Sequence, residues 1–297
     1  MTANPLHVAL YCQGTFSYPN PTNQQIDAMV AAAADINASG FGTVILGQWH
    51  VHPDGSIYYN DSPLDSVIQQ LKVIPTALTL GGSVKRVTLD FGPFYQDFDH
   101  IAANLDTFKK TMAGVIAQTA INGFDWDLED PPTGYGPYHD LLVDLTQWAS
   151  SLSNVVPNLV TAPPYQDESF WNGVINTTNA GGAQGMSWWN LQTYGGADYA
   201  SWVAGFTNQL PQLDAQSYIV PGYNIGNSWT ATPQQVGAAI QQLYGNFPQL
   251  DGGFIWRYED IAGSGYKTSD YASAIINAVG GLAQTSDARP ASQQVSA

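Results

Sequence analysis

Ile121-Asn122-Gly123-Phe124-Asp125-Trp126-Asp127-Leu128-Glu129-Asp130 alternates carboxylates with large apolar side chains. Successive side chains of a strand point to opposite faces, so a strand reading puts Asp125, Asp127 and Glu129 on one face and Phe124, Trp126 and Leu128 on the other. In a closed barrel the apolar face packs on surrounding helices and the acidic face looks into the interior. Three carboxylates stacked on a buried face repel one another and resist desolvation, so they must share protons or hydrogen bonds. Glu129 comes last, at the C-terminal end of its strand, where α/β barrels keep their reacting groups. Two other readings are a strand edge with solvated carboxylates and a hydrophilic cup for a hard cation. The regular alternation argues against a loop.

Working outward, the rest of the chain supplies the barrel that this strand requires. Apolar runs rich in Val, Ile, Leu and Tyr predict strands over His7–Cys12, Thr43–Trp49, Arg86–Phe91, Gly123–Glu129, Leu159–Pro163, Ser187–Tyr194, Tyr218–Tyr223 and Gly253–Tyr258. Amphipathic stretches between them predict helices over Gln24–Asn37, Pro63–Leu71, Phe98–Thr119, Tyr138–Leu152, Glu168–Asn176, Tyr199–Leu210, Pro233–Tyr244 and Ser269–Val279. Thr232 before Pro233 and Ser269 before Asp270 are helix-start signals. Eight strand–helix pairs of roughly 35 residues each fit one (β/α)₈ barrel better than two doubly wound halves. The expected organisation is an α/β TIM barrel over residues 1–283 and a polar, mobile tail or linker over 284–297. Val51–Asp61, after the second strand, carries Pro-Asp-Gly between two extended arms: a cleft wall or a plain surface hairpin.

Composition narrows the function. The 297 residues are 44% hydrophobic, enough for a full core. Eight Lys and Arg against 24 Asp and Glu give a net charge of −16, without the clustered cations that track phosphates, so nucleic acid and anionic membranes are not expected partners. Charged residues are only 11% of the chain, and the surface is left to Asn, Gln, Ser, Thr, Gly and aromatics, which suit neutral, hydroxyl-rich ligands. One cysteine, Cys12, provides neither a disulfide framework nor a thiolate metal site. No stretch approaches 18 apolar residues, and the first residues lack a signal peptide's basic and apolar regions, so the compartment stays unread.

The Asn122–Glu129 segment resembles the strand-four signature of glycoside hydrolase family 18, the chitinases and endo-β-N-acetylglucosaminidases, which reads D-x-x-D-x-D-x-E. Asn122 stands where the family has its first Asp, and the other three acids are intact. Val8–Tyr11 is similar to the first strand of plant-type chitinases, Asn190–Tyr194 to the sixth strand, where an inward Gln or Met precedes a tyrosine by two, and Phe254–Trp256 to the eighth-strand tryptophan. Val87–Gly92 departs: Asp90 replaces the serine of S-x-G-G, and Pro93 its second glycine.

That resemblance implies a retaining endo-hydrolase for β-1,4-linked N-acetylglucosamine polymers, with no cofactor and no metal. The substrate's own 2-acetamido oxygen attacks C1, an exception to the two-carboxylate rule. It implies Glu129 as general acid and then base, Asp127 orienting the acetamide, Asp125 sharing a proton with Asp127, Tyr194 donating to the acetamido group, Trp256 stacking under the sugar, and Gln192 and Tyr11 contacting substrate. Three such carboxylates titrate as a set. Each aromatic alone also reads as barrel core. Trp49, Trp171, Trp188, Trp189 and Trp229 are cleft candidates without assigned subsites.

Three alternatives stand beside this reading. His50-Val-His52 has the look of a metal-dependent amidohydrolase, but follows strand two instead of strand one, and no histidine falls on strands five or six. A silent carbohydrate-binding barrel would keep the cleft, although such relatives commonly lose the acidic glutamate. An endoglycosidase for N-glycan cores needs the same catalytic strand; the gap of roughly 30 residues between strands seven and eight leaves little room for an inserted domain and favours a chitinase. The expected state is a monomer.

Overall fold

The computed structural model describes residues 6–152, 159–179, 185–226 and 231–280. The expected tail, 284–297, and Trp229 lie outside them. Eight parallel strands close into one barrel: β1 (His7–Cys12), β2 (Thr43–Val51), β5 (Arg86–Phe91), β6 (Gly123–Trp126), β7 (Val160–Ala162), β8 (Trp188–Leu191), β9 (Ile219–Asn224) and β10 (Gly252–Trp256). β1 pairs with both β10 and β2, which seals the ring. Beyond β2 the chain turns back through β3 (Ile57–Tyr59) and β4 (Ser62–Pro63), an antiparallel excursion with His50 opposite Tyr58. The two extended arms expected around Pro53-Asp54-Gly55 are therefore a real hairpin.

Helices follow the strands: α1 (Asn23–Ala38), α2 (Leu64–Thr79), α3 (Tyr95–Ala103), α4 (Leu105–Gln118), α5 (His139–Ser151), α6 (Glu168–Thr178), α7 (Tyr199–Gln209), α8 (Ala215–Tyr218), α9 (Pro233–Asn246), α10 (Tyr258–Ser264) and α11 (Thr268–Gly280). Thr22 and Thr232 each accept from the backbone of a Gln three residues on, and that Gln bonds back to the cap, so α1 and α9 both start on reciprocal capping boxes. The predicted Phe98–Thr119 helix is two helices, broken at Asn104, whose side chain donates to the His100 and Pro53 carbonyls. Ser269 is not the cap of α11: the helix begins at Thr268, and Asp270 accepts from the Lys267 amide. Among the described residues no helix is long and apolar enough to cross a membrane.

The strand alternation divides the core in two. Outward, Phe91, Phe124 and Trp126 pack with Phe108 of α4 and Trp148 of α5, ring centroids 5.1 to 6.4 Å apart. Inward, the strands carry an unusually polar layer, with Thr88, Asp90, Asp125, Thr161, Asn190 and Tyr11 all buried. Phe254 closes that layer on one side. Its ring fills the space where Gly222, its register partner on β9, has no side chain. At the N-terminal end of the barrel Trp188 lies between His7, stacked at 4.4 Å, and the Arg86 guanidinium, 5.1 Å from the ring centre.

Candidate active site

The predicted strand Gly123–Glu129 ends as a regular strand at Trp126. Its parallel course continues, because the Asp127 amide donates to the Phe91 carbonyl at 2.8 Å and the Glu129 amide to the Pro93 carbonyl at 3.1 Å. Asp130, in the left-handed region at φ 47°, then turns the chain away. Asp125, Asp127 and Glu129 thus stay on the inner face and climb from the sealed interior to the open end.

Asp125 is fully buried. It accepts from Tyr11 Oη at 2.8 Å and from Thr161 Oγ1, and Asn190 Nδ2 donates to Tyr11 Oη at 3.1 Å. Burial pushes its carboxyl up to about 6, although the hydrogen bonds from Thr161, Tyr11 and Asn190 pull the other way. Asp127 is pushed well above the usual carboxylate range by burial, then by Glu129, Asp90 and Asp125. Glu129 is also raised, chiefly by burial, against the lowering effect of Gln192 and Asp127. Gln192 Nε2 donates to Glu129 Oε1 at 2.6 Å and to the Pro163 carbonyl at 2.7 Å. The interaction between the two raises Asp127 and lowers Glu129, which favours a proton on Asp127. The Tyr11 and Thr161 hydroxyls donate to both oxygens of Asp125, and Asp125 is among the groups that raise Asp127.

A cavity of about 190 Å³ opens over this ladder, lined by Tyr11, Asp127, Glu129, Gln192, Tyr194 and Trp256 together with Gln48, Pro93 and Pro163. Six of the seven residues singled out from the sequence meet there, and the seventh, Asp125, lies beneath it. Tyr194 is not on a strand as predicted: β8 ends at Leu191 and Tyr194 sits in a short 3₁₀ turn, Thr193–Gly195. Burial and then the neighbouring Asp127, Glu129, Asp90 and Asp125 carboxyls hold its phenol well above the usual range, so it remains a neutral donor. Trp256 ends β10 with its ring 5.2 Å from Tyr11. The segment after it is clamped by Glu259, which accepts from the Gln13, Gly14 and Thr15 amides and from Thr15 Oγ1 at 2.7 to 3.1 Å. Burial raises the Glu259 carboxyl, but these hydrogen bonds outweigh it and hold it below the usual range.

Other candidates fall elsewhere. Asn122 ties the starts of β5 and β6, accepting from the Val87 amide at 2.8 Å and donating to the Lys85 carbonyl at 3.1 Å. His50 Nδ1 faces Asp97 at 3.0 Å, and His52 stacks on Tyr58 at 4.0 Å. Among the described residues no group of three or more His, Cys, Asp or Glu is arranged to hold a metal ion. Trp49, Trp171, Trp188 and Trp189 are all buried. Sequence reasoning missed Gln48 as a cavity residue and read Asp90 only as a departure from a motif. Asp90 lies level with Asp125 on the neighbouring strand, fully buried.

No protein-family model and no curated protein matches the chain. Solved structures do match its fold. The catalytic domain of a glycoside hydrolase family 18 chitinase from the fern Peteris ryukyuensis superimposes with a TM-score of 0.61 at 14% identity, over 92% of this chain and 98% of that one. A fungal endo-β-N-acetylglucosaminidase of the same family matches at 0.59 and 16%, over 91% and 98%. A Group IV chitinase from Ostrinia furnacalis, solved with allosamidin, matches at 0.60 and 11%, over 94% and 99%. The chain has the (β/α)₈ fold of these glycosidases.

Proposed function

We propose that this chain is a retaining endo-glycoside hydrolase that cleaves β-1,4-linked N-acetylglucosamine polymers by substrate-assisted catalysis. The meeting of Asp127, Glu129, Gln192, Tyr194 and Trp256 around one cavity carries the reading. Two-carboxylate glycosidases hold their pair about 5–5.5 Å apart when retaining and about 6.5–9.5 Å when inverting, so that the scissile bond fits between them. Asp127 and Glu129 act directly on each other, and Asp90 and Asp125 are sealed below the cavity. In the mechanism that the resemblance implies, Glu129 is the acid and the substrate's 2-acetamido group supplies the nucleophile.

In this mechanism the Asp127 proton passes to Glu129, which gives it to the glycosidic oxygen as the C1–O bond breaks. The acetamido oxygen closes on C1 from the opposite face. Asp127, now a carboxylate, stabilises the oxazolinium cation, and the neutral Tyr194 phenol donates to the acetamido oxygen. Trp256 offers its ring face to the sugar. Glu129 then takes a proton from the water that opens the oxazolinium, and two inversions restore the β configuration.

The test is a time course of N-acetylglucosamine oligomers with wild type and Glu129→Gln, products resolved by mass and anomeric form. Shorter oligomers with β configuration, from wild type only, are expected. Inverted products, or undiminished cleavage by Glu129→Gln, would overturn the reading. Binding without cleavage by wild type makes the barrel a lectin. Cleavage confined to N-glycan cores shifts the substrate to that of an endoglycosidase.

A further inference from the structure

Asp90, like Asp125, is a carboxyl of the interior to which the reaction above gives no role. It projects inward from β5 beside Asp125, its register partner on β6, and is completely buried. Neither of its oxygens has a hydrogen-bond partner. Space for it is made by Gly47 on β2, where a β-carbon would overlap Asp90 Oδ2. The groups acting on it or acted on by it are Asp125, Asp127 and Glu129 along the ladder, Asp97 from α3, and the phenols of Tyr11, Tyr59 and Tyr194. None is a cation. An ionised carboxylate with neither donor nor counter-charge is not sustained in such a site, whereas the neutral acid is, and it brings an O–H donor. Burial, then Asp125, Glu129 and Asp97, push the Asp90 carboxyl well above the usual range.

Asp127 has the complementary need. Its Oδ1 is also buried without a partner, and once its proton has gone to Glu129 it is an anion with that oxygen unserved. Asp127 lies one step further along the same inner face than Asp125, Asp90's neighbour, and its backbone is bonded to Phe91, the residue after Asp90.

We propose that Asp90 is a positioning residue: carried as the neutral acid, it donates an O–H hydrogen bond to the Asp127 carboxylate in the step for which Glu129 is the acid. Asp90 keeps its proton throughout. The only proton that moves is the one whose O–H bond breaks on Asp127 and forms on Glu129, and from there it goes to the leaving oxygen. The assignment rests on the hydrolase reading above.

The experiment compares wild type, Asp90→Ala and Asp90→Asn, with kcat and KM on N-acetylglucosamine oligomers across pH and infrared spectra at neutral pH. Asp90→Ala removes the donor and should lower kcat about ten- to a hundredfold with KM little changed, the range for a hydrogen bond to a charged group. Asp90→Asn restores a donor of the same shape and should recover most of that loss, with the basic limb of the pH profile unmoved because no charge was removed. Infrared difference spectra of wild type against Asp90→Asn should contain a protonated-carboxyl band. Wild-type kcat in Asp90→Ala, a basic limb displaced to lower pH in Asp90→Asn, or absence of the band would each overturn the proposal. Should Asp90→Ala fail to fold, Asp90→Asn and the infrared band decide. A wild-type protein that cuts no oligomer sinks the hydrolase reading instead, and the band still tests whether Asp90 is a neutral donor.

Discussion

Replacing Asp125 by Asn should flatten the way stability falls with rising pH. The Asp125 carboxyl is fully buried and pushed from 3.8 up to about 6. Between those values the native chain holds a proton that the unfolded chain has released, so unfolding becomes easier as pH rises. The contribution is fully favourable below the unfolded value and is lost as pH passes through the folded one. A shift of about two units at about 1.4 kcal/mol each amounts to about 3 kcal/mol. Asp125→Asn keeps the shape, and the Tyr11 and Thr161 hydroxyls that now donate to Asp125 can turn to accept from the amide. Chemical denaturation followed by tryptophan fluorescence, at intervals from about pH 4 to about pH 8, gives the stability of both proteins under the same conditions. Wild type minus variant should drop by about 2.4 kcal/mol across that window, the part of the contribution that lies above about pH 4. A difference that is constant, or that grows in favour of wild type with pH, would refute the argument, since it would mean that the hydrogen bonds to Asp125 outweigh its burial.

Gln192→Met removes the donor to Glu129 Oε1 and with it an influence that lowers the Glu129 carboxyl; the basic limb of kcat/KM should move to higher pH, and an unmoved or lowered limb would count against Glu129 as the titrating acid. Gly47→Ala sets a methyl against Asp90 Oδ2 and should cost about 1–3 kcal/mol in denaturant titrations, with a stability equal to wild type showing that the carboxyl is free to move. A thiazoline analogue of the oxazolinium should inhibit competitively and bind more tightly than a substrate of equal length by calorimetry; failure to bind would exclude acetamido participation.

Periodicity in one strand is visible in the sequence, and relations between strands are not. β1 and β5 fall at the residues their apolar runs indicate, and the alternation in Phe124–Glu129 is strong enough to assign both faces of the fourth barrel strand. Gln48 escaped because the alternation itself breaks: inward Ile45 and Gly47 imply an outward Gln48, but the β2–β5 register shifts between Leu46 and Trp49 and Gln48 lines the cavity. Asp90 carried no signal that could pair it with Asp125, because level neighbours on parallel strands are 35 residues apart in the chain. Tyr194 was found by its two-residue distance from Gln192 even though the strand it was assigned to stops earlier.

The absence of cations from this cluster bears directly on how it works. The influences on Asp90, Asp125, Asp127 and Glu129 are burial, other carboxylates and neutral donors. A Lys or Arg against the ladder would stabilise four buried acids far more simply, but it would also favour their ionised forms and strip Glu129 of the proton it has to deliver. Protons therefore take the place of counter-ions, and the same burial that weakens the fold at higher pH keeps an acid available there. Gly47 and Asp90 then read as a matched pair: the glycine admits a fourth carboxyl, and the carboxyl adds a donor without adding a charge. On that logic the order of effects at Asp90 is set by charge before shape, with Lys the most damaging substitution, Ala intermediate and Asn the mildest. If Asp90→Lys retained more activity than Asp90→Ala, the neutrality of the cluster would not be what the chemistry depends on.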